Sequence, residues 1–498
     1  MNGKGRKAKN QANINNSMNV LSREELDRRI AAVEADMKSS TWKDLEVGVK
    51  FDKNEKLTFI SDDMLILGCD IGSETHYVRA IDTRGRELSK DAFPFSNNAE
   101  GFKSAKAWAV KIAAEHNKKQ IVLGLEPTGH YWFCLAAWMI TNGISVVQVN
   151  PYAVKQTKEL EDNSQQKDDR KDPQLIANLV KDGNYGMPYL PEDVYAELRR
   201  LSMLRDQLTE ERIRYVNRLH RELKIYFPEY MDAFGKLDGA FTLMVLKKVP
   251  FPEDILALGA DGLREIWHKA KLRGRGYSRA EHIVKLASES VGLKHGPGGS
   301  REAVRCFVEQ ILYLTAKLDE IEESLHQKCR EIPYAENLLG IEGIGETILA
   351  GILAEMGDVR RFDDVKEIQK LSGLGLVACS SGKHKGETKI SHRGRKRLRY
   401  WLFQAAKSAV SHAEEFKTLH TYYTTRPENP LKKMQSLIVI ACKILRVIFT
   451  ILRPGRKYDP EQMLKDIRHP DNVTQAAEST VSIAYKRPHP PRSCRTTC

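Results

Sequence analysis

The chain lacks any Cys-x-x-Cys pair, and none of its eight cysteines has a histidine partner at zinc-ligand spacing. This excludes a structural zinc framework and points to a reduced, intracellular protein. A secretory signal is missing too: the start, MNGKGRKAKNQANINN, is basic and polar with no apolar run, and reads as a flexible arm that contacts nucleic acid. Long hydrophobic runs are scarce. Residues 434–452 could span a bilayer by length, but Lys443 and Arg446 would sit near its middle at about 2.5 to 3.5 kcal/mol each. A buried amphipathic helix is expected there, with no membrane partner. Negative charge is the minority, with 66 Asp+Glu against 79 Lys+Arg and a formal net charge of +13. Such a balance favours polyanions, because Lys and Arg gain by releasing counterions from a phosphate backbone. What the chain does have is 41% hydrophobic residues over 498 positions, enough for several cores and roughly three domains of ~150 residues.

After a basic N-terminal extension (1–60), the pattern turns strand-like: LILGCD, THYVRAID, a polar turn at 83–86, then ELSKDAFPF. Three short strands on tight connections predict an antiparallel meander. A helix over 99–115, a strand over 121–125, a helix over 131–141 and a strand over 144–149 follow, and strand–helix–strand units of this length favour parallel pairing. Residues 61–190 therefore predict a mixed α/β sheet of the ribonuclease H type. Residues 191–330 are helical around an inserted subdomain (231–300). Within them Val304, Phe307, Ile311, Leu314, Leu318, Ile321 and Leu325 alternate steps of three and four, as in a coiled coil. An intermolecular seam and a helical hairpin within the chain fit that spacing equally. A mostly helical region (331–455) precedes a Pro- and Arg-rich tail (456–498), expected to be disordered past Tyr458.

Two constellations carry chemistry. Asp70 and Glu126 each end an apolar strand, where open α/β sheets place their ligands. Asp169 and Asp172 lie in KDDRKDP, with Pro173 fitting the first helical position and Asp172 its N-cap. Asp162 and Asp168 compete for the third acidic role. Four converging carboxylates repel one another, and hard divalent cations such as Mg²⁺ relieve that cost while stabilising an in-line displacement on a phosphodiester. An actin-like ATPase or sugar kinase would need further Gly-rich phosphate loops, and no convincing pair is present.

The second constellation begins with LLGIEGIGETILAGILAEM (338–356), a helix-hairpin-helix pattern in which Gly343 and Gly345 let backbone N–H groups approach a phosphate. An ordinary αα-hairpin remains the alternative. Between Ser381 and Tyr400 come Lys383, Lys385, Lys389, Arg393, Arg395, Lys396, Arg397 and Arg399, against the single acid Glu387; a solvated charge run normally mixes signs, so a nucleic-acid face is favoured. The Ser-Ser-Gly at 380–382 opens this block. A hydroxyl there could attack a phosphate held by arginines, although most Ser-Gly pairs are turns.

Together, CDIGSETHYVRAID, GLEPTGHYW, KDDRKDP, GIEGIG and SGKHKGETKISHRGRKRLRYWL resemble the Piv-type DEDD transposases of insertion sequences, the bridge-RNA-guided recombinases. The resemblance covers about 61–190 and 331–455. It departs from the usual pattern at Ala378, at His392 to Arg395 and at Pro173. What it implies is a RuvC-like domain whose Asp70, Glu126, Asp169 and Asp172 hold Mg²⁺ or Mn²⁺, and a C-terminal serine domain with Ser381 as nucleophile. It also implies a coiled coil joining the protomers of a dimer or tetramer, donor and target DNA and a guide RNA as partners, and a cytoplasmic, nucleoid-associated enzyme. Two readings stand beside it: a metal-dependent junction endonuclease without covalent intermediate, and a non-catalytic architectural nucleic-acid-binding protein.

Overall fold

The computed structural model describes residues 22–39, 53–161, 172–269, 276–377, 380–381, 384–385 and 389–464. The expected N-terminal arm, residues 162–171 with Asp162, Asp168 and Asp169, Lys383 and most of the tail lie outside them. Two compact units divide at Leu190 and Pro191.

In the first unit, α1 (Arg23–Ser39) and α2 (Lys53–Phe59) precede β1 (Met64–Asp70), β2 (Thr75–Ile81), β3 (Phe93–Ser96), α3 (Ala99–Glu115), β4 (Gln120–Leu125), α4 (Trp132–Thr141) and β5 (Ser145–Val149). Then come α5 (Pro151–Glu161), α6 (Asp172–Lys181) and β6 (Tyr185–Gly186). The sheet order is β3-β2-β1-β4-β5-β6. β1, β2 and β3 form the antiparallel meander, whereas β1–β4 and β4–β5 pair in parallel. This is the mixed sheet expected of a ribonuclease H type domain. Alternation along the central strands feeds two cores. Leu65, Leu67 and Cys69 of β1 pack with Leu123 and Leu125 of β4 on the α3–α4 face, and Met64, Ile66 and Val122 pack with Leu175, Ile176 and Val180 on the α6 face. Helices cover both faces, so these strands are apolar throughout.

One expectation is corrected here. Residues 1–60 are not merely an extension, because Val33 and Met37 of α1 are buried in the α3–α4 core with Ile30 packed against it. The spacing Ile30, Val33, Met37 is the apolar stripe of an amphipathic helix, hidden in the sequence by the flanking charges.

The second unit opens with α7 (Asp193–Tyr226). The insert contributes α8 (Tyr230–Phe234), α9 (Ala240–Lys248), α10 (Pro252–Lys269, broken at Gly259) and α11 (Tyr277–Ser288), before α12 (Pro297–Arg330) returns. α7 and α12 run antiparallel within the chain: Arg205 Nε donates to Glu322 at 2.7 Å, Arg212 Nε to Thr315 Oγ1 at 3.0 Å, and Lys328 pairs with Glu197 at 2.9 Å. Of the two arrangements that fit the heptad spacing, the intramolecular hairpin is therefore present. The insert has its own core around Phe227, Tyr230, Phe241 and Trp267, at the end of the hairpin that holds Val304, Val308 and Ile311.

Beyond it lie α13 (Glu336–Leu339), α14 (Glu346–Met356), α15 (Val365–Leu371), the two-residue strands β7 (Leu376–Val377), β8 (Ser380–Ser381), β9 (His384–Lys385) and β10 (Lys389–Ile390), then α16 (Lys396–His412), α17 (Glu414–Thr425), α18 (Lys433–Leu452) and α19 (Pro460–Leu464). α18 is the long apolar run. Ile440, Ile444, Leu445 and Ile448 are fully buried in the C-terminal core, each contributing about 1.5 to 3 kcal/mol, so it is the core helix that its two internal charges called for. The tail does not become irregular at Tyr458, since α19 follows and buries Met463.

Candidate active site

Asp70 ends β1, and Glu126 directly follows β4. These strands are parallel neighbours with Cys69 opposite Leu125, which puts the two carboxylates side by side at the carboxyl edge of the sheet. Asp172 joins them through the packing of α6. A Cβ on Gly68 would lie 1.8 Å from Pro173 O and 2.5 Å from Ala177 N, so only glycine lets the α6 backbone rest on β1. Asp172 is the first residue of α6 rather than the residue before it, and its carboxylate accepts a 2.6 Å bond from Lys158 Nζ of α5. Burial first, then the charges of Asp70 and Asp172, push the Glu126 carboxyl above its usual range, while Lys158 pulls it back. Lys158 thus opposes the repulsion among the three acids.

Lys158 was not legible in the sequence. Its helix neighbour Lys155, which pairs with Glu159 at 4.0 Å on the surface, has the same local signature. All donors in the cluster are hard carboxylate oxygens, and their mutual repulsion is what a divalent ion relieves. Among the described residues no three such groups are gathered closely enough to hold an ion as they stand. Asp169, the fourth member of the set, falls outside the described residues.

In the second unit the glycine pair divides. Gly343 has φ +87, and a Cβ there would meet Ser408 O at 2.7 Å, so it seats the hairpin against α16. Gly345 precedes α14 with nothing within 4 Å of a Cβ, leaving that helix end open. Its first turn already carries Glu346, paired with Arg330 and with His326 at 3.1 Å. Ser380 and Ser381 form β8, which pairs antiparallel with β9, Ser380 opposite Lys385 and Ser381 opposite His384 along the backbone ladder.

The basic block also separates. Arg395 bonds Glu355 O, Arg397 pairs with Asp206 at 2.6 Å, and Arg399 bonds Ser372 O at 3.0 Å. These three hold α16 against the rest of the unit. Lys389, Arg393 and Lys396 are exposed or half-exposed. Charge counting could not distinguish the two groups, because both lie in one run.

Two family profiles match the regions that carry these features. The DEDD transposase profile of the IS110 type, described as a transposase, covers residues 67–228. The profile described as the transposase IS116/IS110/IS902 family covers 335–423. The first range holds the acidic cluster, and the second holds the glycine hairpin, β8 and all of α16. The chain belongs to the IS110-type transposase family. It is an enzyme that acts on DNA by strand cleavage and rejoining. Among its relatives, the uncharacterized 44.8 kDa protein of insertion element IS116 from Streptomyces clavuligerus is 23% identical over 401 residues, covering 80% of this chain and 97% of the relative. The pilin gene-inverting protein of Moraxella bovis is 24% identical over 373 residues, 73% of this chain and 89% of the relative. The transposase for insertion sequence element IS1111A of Coxiella burnetii is 25% identical over 153 residues, 31% and 41% of the two chains.

Proposed function

We propose that this transposase cuts and rejoins strands through a phosphoserine at Ser381, with Asp70, Glu126, Asp169 and Asp172 holding Mg²⁺ or Mn²⁺ and a bridge RNA as guide. The observation that carries this reading is the meeting of Asp70, Glu126 and Asp172 from two strand ends and a helix start, with Glu126 pushed toward protonation by burial first and then by these two acids. When bound, the divalent ion would supply charge neutralisation at the scissile phosphate. Ser381 Oγ forms the new bond to phosphorus, a strand hydroxyl leaves with a proton, and attack by an incoming strand hydroxyl frees the serine. Lys389, Arg393 and Lys396 hold the backbone electrostatically, and Gly345 offers the open end of α14 to a phosphate. The acids belong to the first unit and the serine to the second, and the family resemblance implies that different protomers of a dimer or tetramer supply them.

The test uses three variants with labelled DNA and a divalent ion. Asp70→Ala should abolish cleavage while binding is retained or tightened. Ser381→Ala should remove the denaturant-resistant protein–DNA adduct at unchanged affinity, since a neutral hydroxyl releases no counterions. Ser380→Ala should keep the adduct. Metal-dependent cleavage by both serine variants without any adduct would replace this reading with the junction endonuclease.

A further inference from the structure

Arg446 of α18 is exposed, so burial in the core does not account for its charge. Lys443, Arg446 and Thr450 fall on one helical stripe at spacings of three and four, and that stripe borders an open cavity of about 220 Å³ that Arg456, Lys457 and Tyr458 also line. Lys443 forms the inner wall, 8% exposed, with Nζ 3.2 Å from Met463 O. Arg446, Arg456 and Lys457 are exposed at the rim. Among the described residues no ion pair engages these three.

The cavity's other polar groups face elsewhere. Asp459, which also lines it, accepts from Glu461 N at 3.0 Å and from Gln462 Nε2 at 2.9 Å, which turns its carboxylate toward the start of α19. Tyr458 OH donates to Glu415 at 2.6 Å. Three exposed rim cations, Arg446, Arg456 and Lys457, therefore face one small concavity in which, among the described lining residues, the single carboxylate is already bonded. Bringing like charges together costs free energy that a bound anion returns, and the arginine fork suits phosphate oxygens.

We infer that this cavity is a phosphate site, and that its ligand is a backbone phosphate of the nucleic acid on which the enzyme acts. The cavity lies past residue 423, outside both matched family regions. The inference takes its ligand class from the enzyme's action on DNA and does not depend on which serine attacks. It adds a sequence-blind anchor contributed by the end of the C-terminal core.

Lys443→Met could fail to fold, so the informative change is at the rim. In the full-length protein, Arg446→Gln with Arg456→Gln should make the plot of log affinity for duplex DNA against log salt shallower by about 0.9 for each phosphate that is no longer neutralised. A control of equal charge, Lys285→Gln with Arg305→Gln, should leave the slope unchanged. Inorganic phosphate should raise the thermal midpoint of the unaltered protein and not that of the rim variant. Protection by phosphate with an unchanged DNA slope would mean a free anion is the ligand and would overturn the nucleic-acid assignment. A lower midpoint with no change of slope would assign the cations to stabilising the carboxyl end of α18, and the inference would fall.

Discussion

Gly68→Ala tests whether the packing of α6 sets the acidic site. The added methyl would stand 1.8 Å from Pro173 O, 2.5 Å from Ala177 N and 2.9 Å from Ala177 Cβ. An ordinary contact of this kind is about 3.3 Å, so the helix must retreat by on the order of 1.5 Å, and two of the obstructing atoms are backbone that no rotamer change can move. Overpacking of this type costs about 1 to 3 kcal/mol. The functional cost should be larger. Asp172 lies one residue before Pro173, so the retreat carries its carboxylate away from Asp70 and Glu126, and a misplacement of about 1 Å can cost ~10²-fold in rate. Gly124→Ala provides the comparison: its Cβ meets Val180 Cγ2 at 2.4 Å and the Ile176 side chain at 3.5 Å, and side-chain tips can shift. Urea unfolding would read the stability loss, and single-turnover nicking of labelled DNA would read the rate. The expected order is Gly68→Ala far below Gly124→Ala in rate, with DNA affinity equal. Equal rates for the two variants, or a destabilised Gly68→Ala that still nicks at full speed, would refute the claim that α6 positions a working Asp172.

The Glu126 carboxyl is raised by burial and by Asp70 and Asp172. A group raised on folding contributes stability below its unfolded value of 4.5 that is lost as pH rises through the folded value. Without divalent ions, the protein should therefore lose stability toward neutral pH relative to Glu126→Gln; parallel urea midpoints across that range would contradict this. Lys158→Met should remove the cation that competes for Asp172, tightening Mn²⁺ binding to the DNA-free protein by roughly fivefold, the equivalent of about 1 kcal/mol for a partly exposed pair. Weaker binding by electron paramagnetic resonance titration would show instead that Lys158 positions the carboxylate for the ion. Ile311→Asp should lower helicity and unfold the α7–α12 hairpin, because Ile311 is fully buried within the chain and an unpaired buried carboxylate is too costly to keep. A folded monomer released from a larger assembly would instead place that face between protomers.

Local periodicity settled most of the secondary structure. The strands over 64–70, 75–81, 120–125 and 145–149 and the helix over 99–115 were legible because a two-sided sheet and an amphipathic helix write their burial into short windows of sequence. The identities of Asp70 and Glu126 as strand-end acids were legible for the same reason. Several features were decided only when the chain folded. Whether Val304 to Leu325 meets another helix of the same chain or of a second one depends on the partner surface, and the heptad spacing is identical in both cases. Lys158 became the counter-charge of the acidic cluster, and Lys155 did not, because α5 and α6 meet along one line and only one of the two lysines lies on it. Arg395, Arg397 and Arg399 separated from Lys389 and Lys396 because their neighbours, Glu355 O, Asp206 and Ser372 O, are far away in sequence. A charge has the same composition wherever it points; its role is fixed by the desolvated groups around it, and those are assembled by tertiary contacts alone.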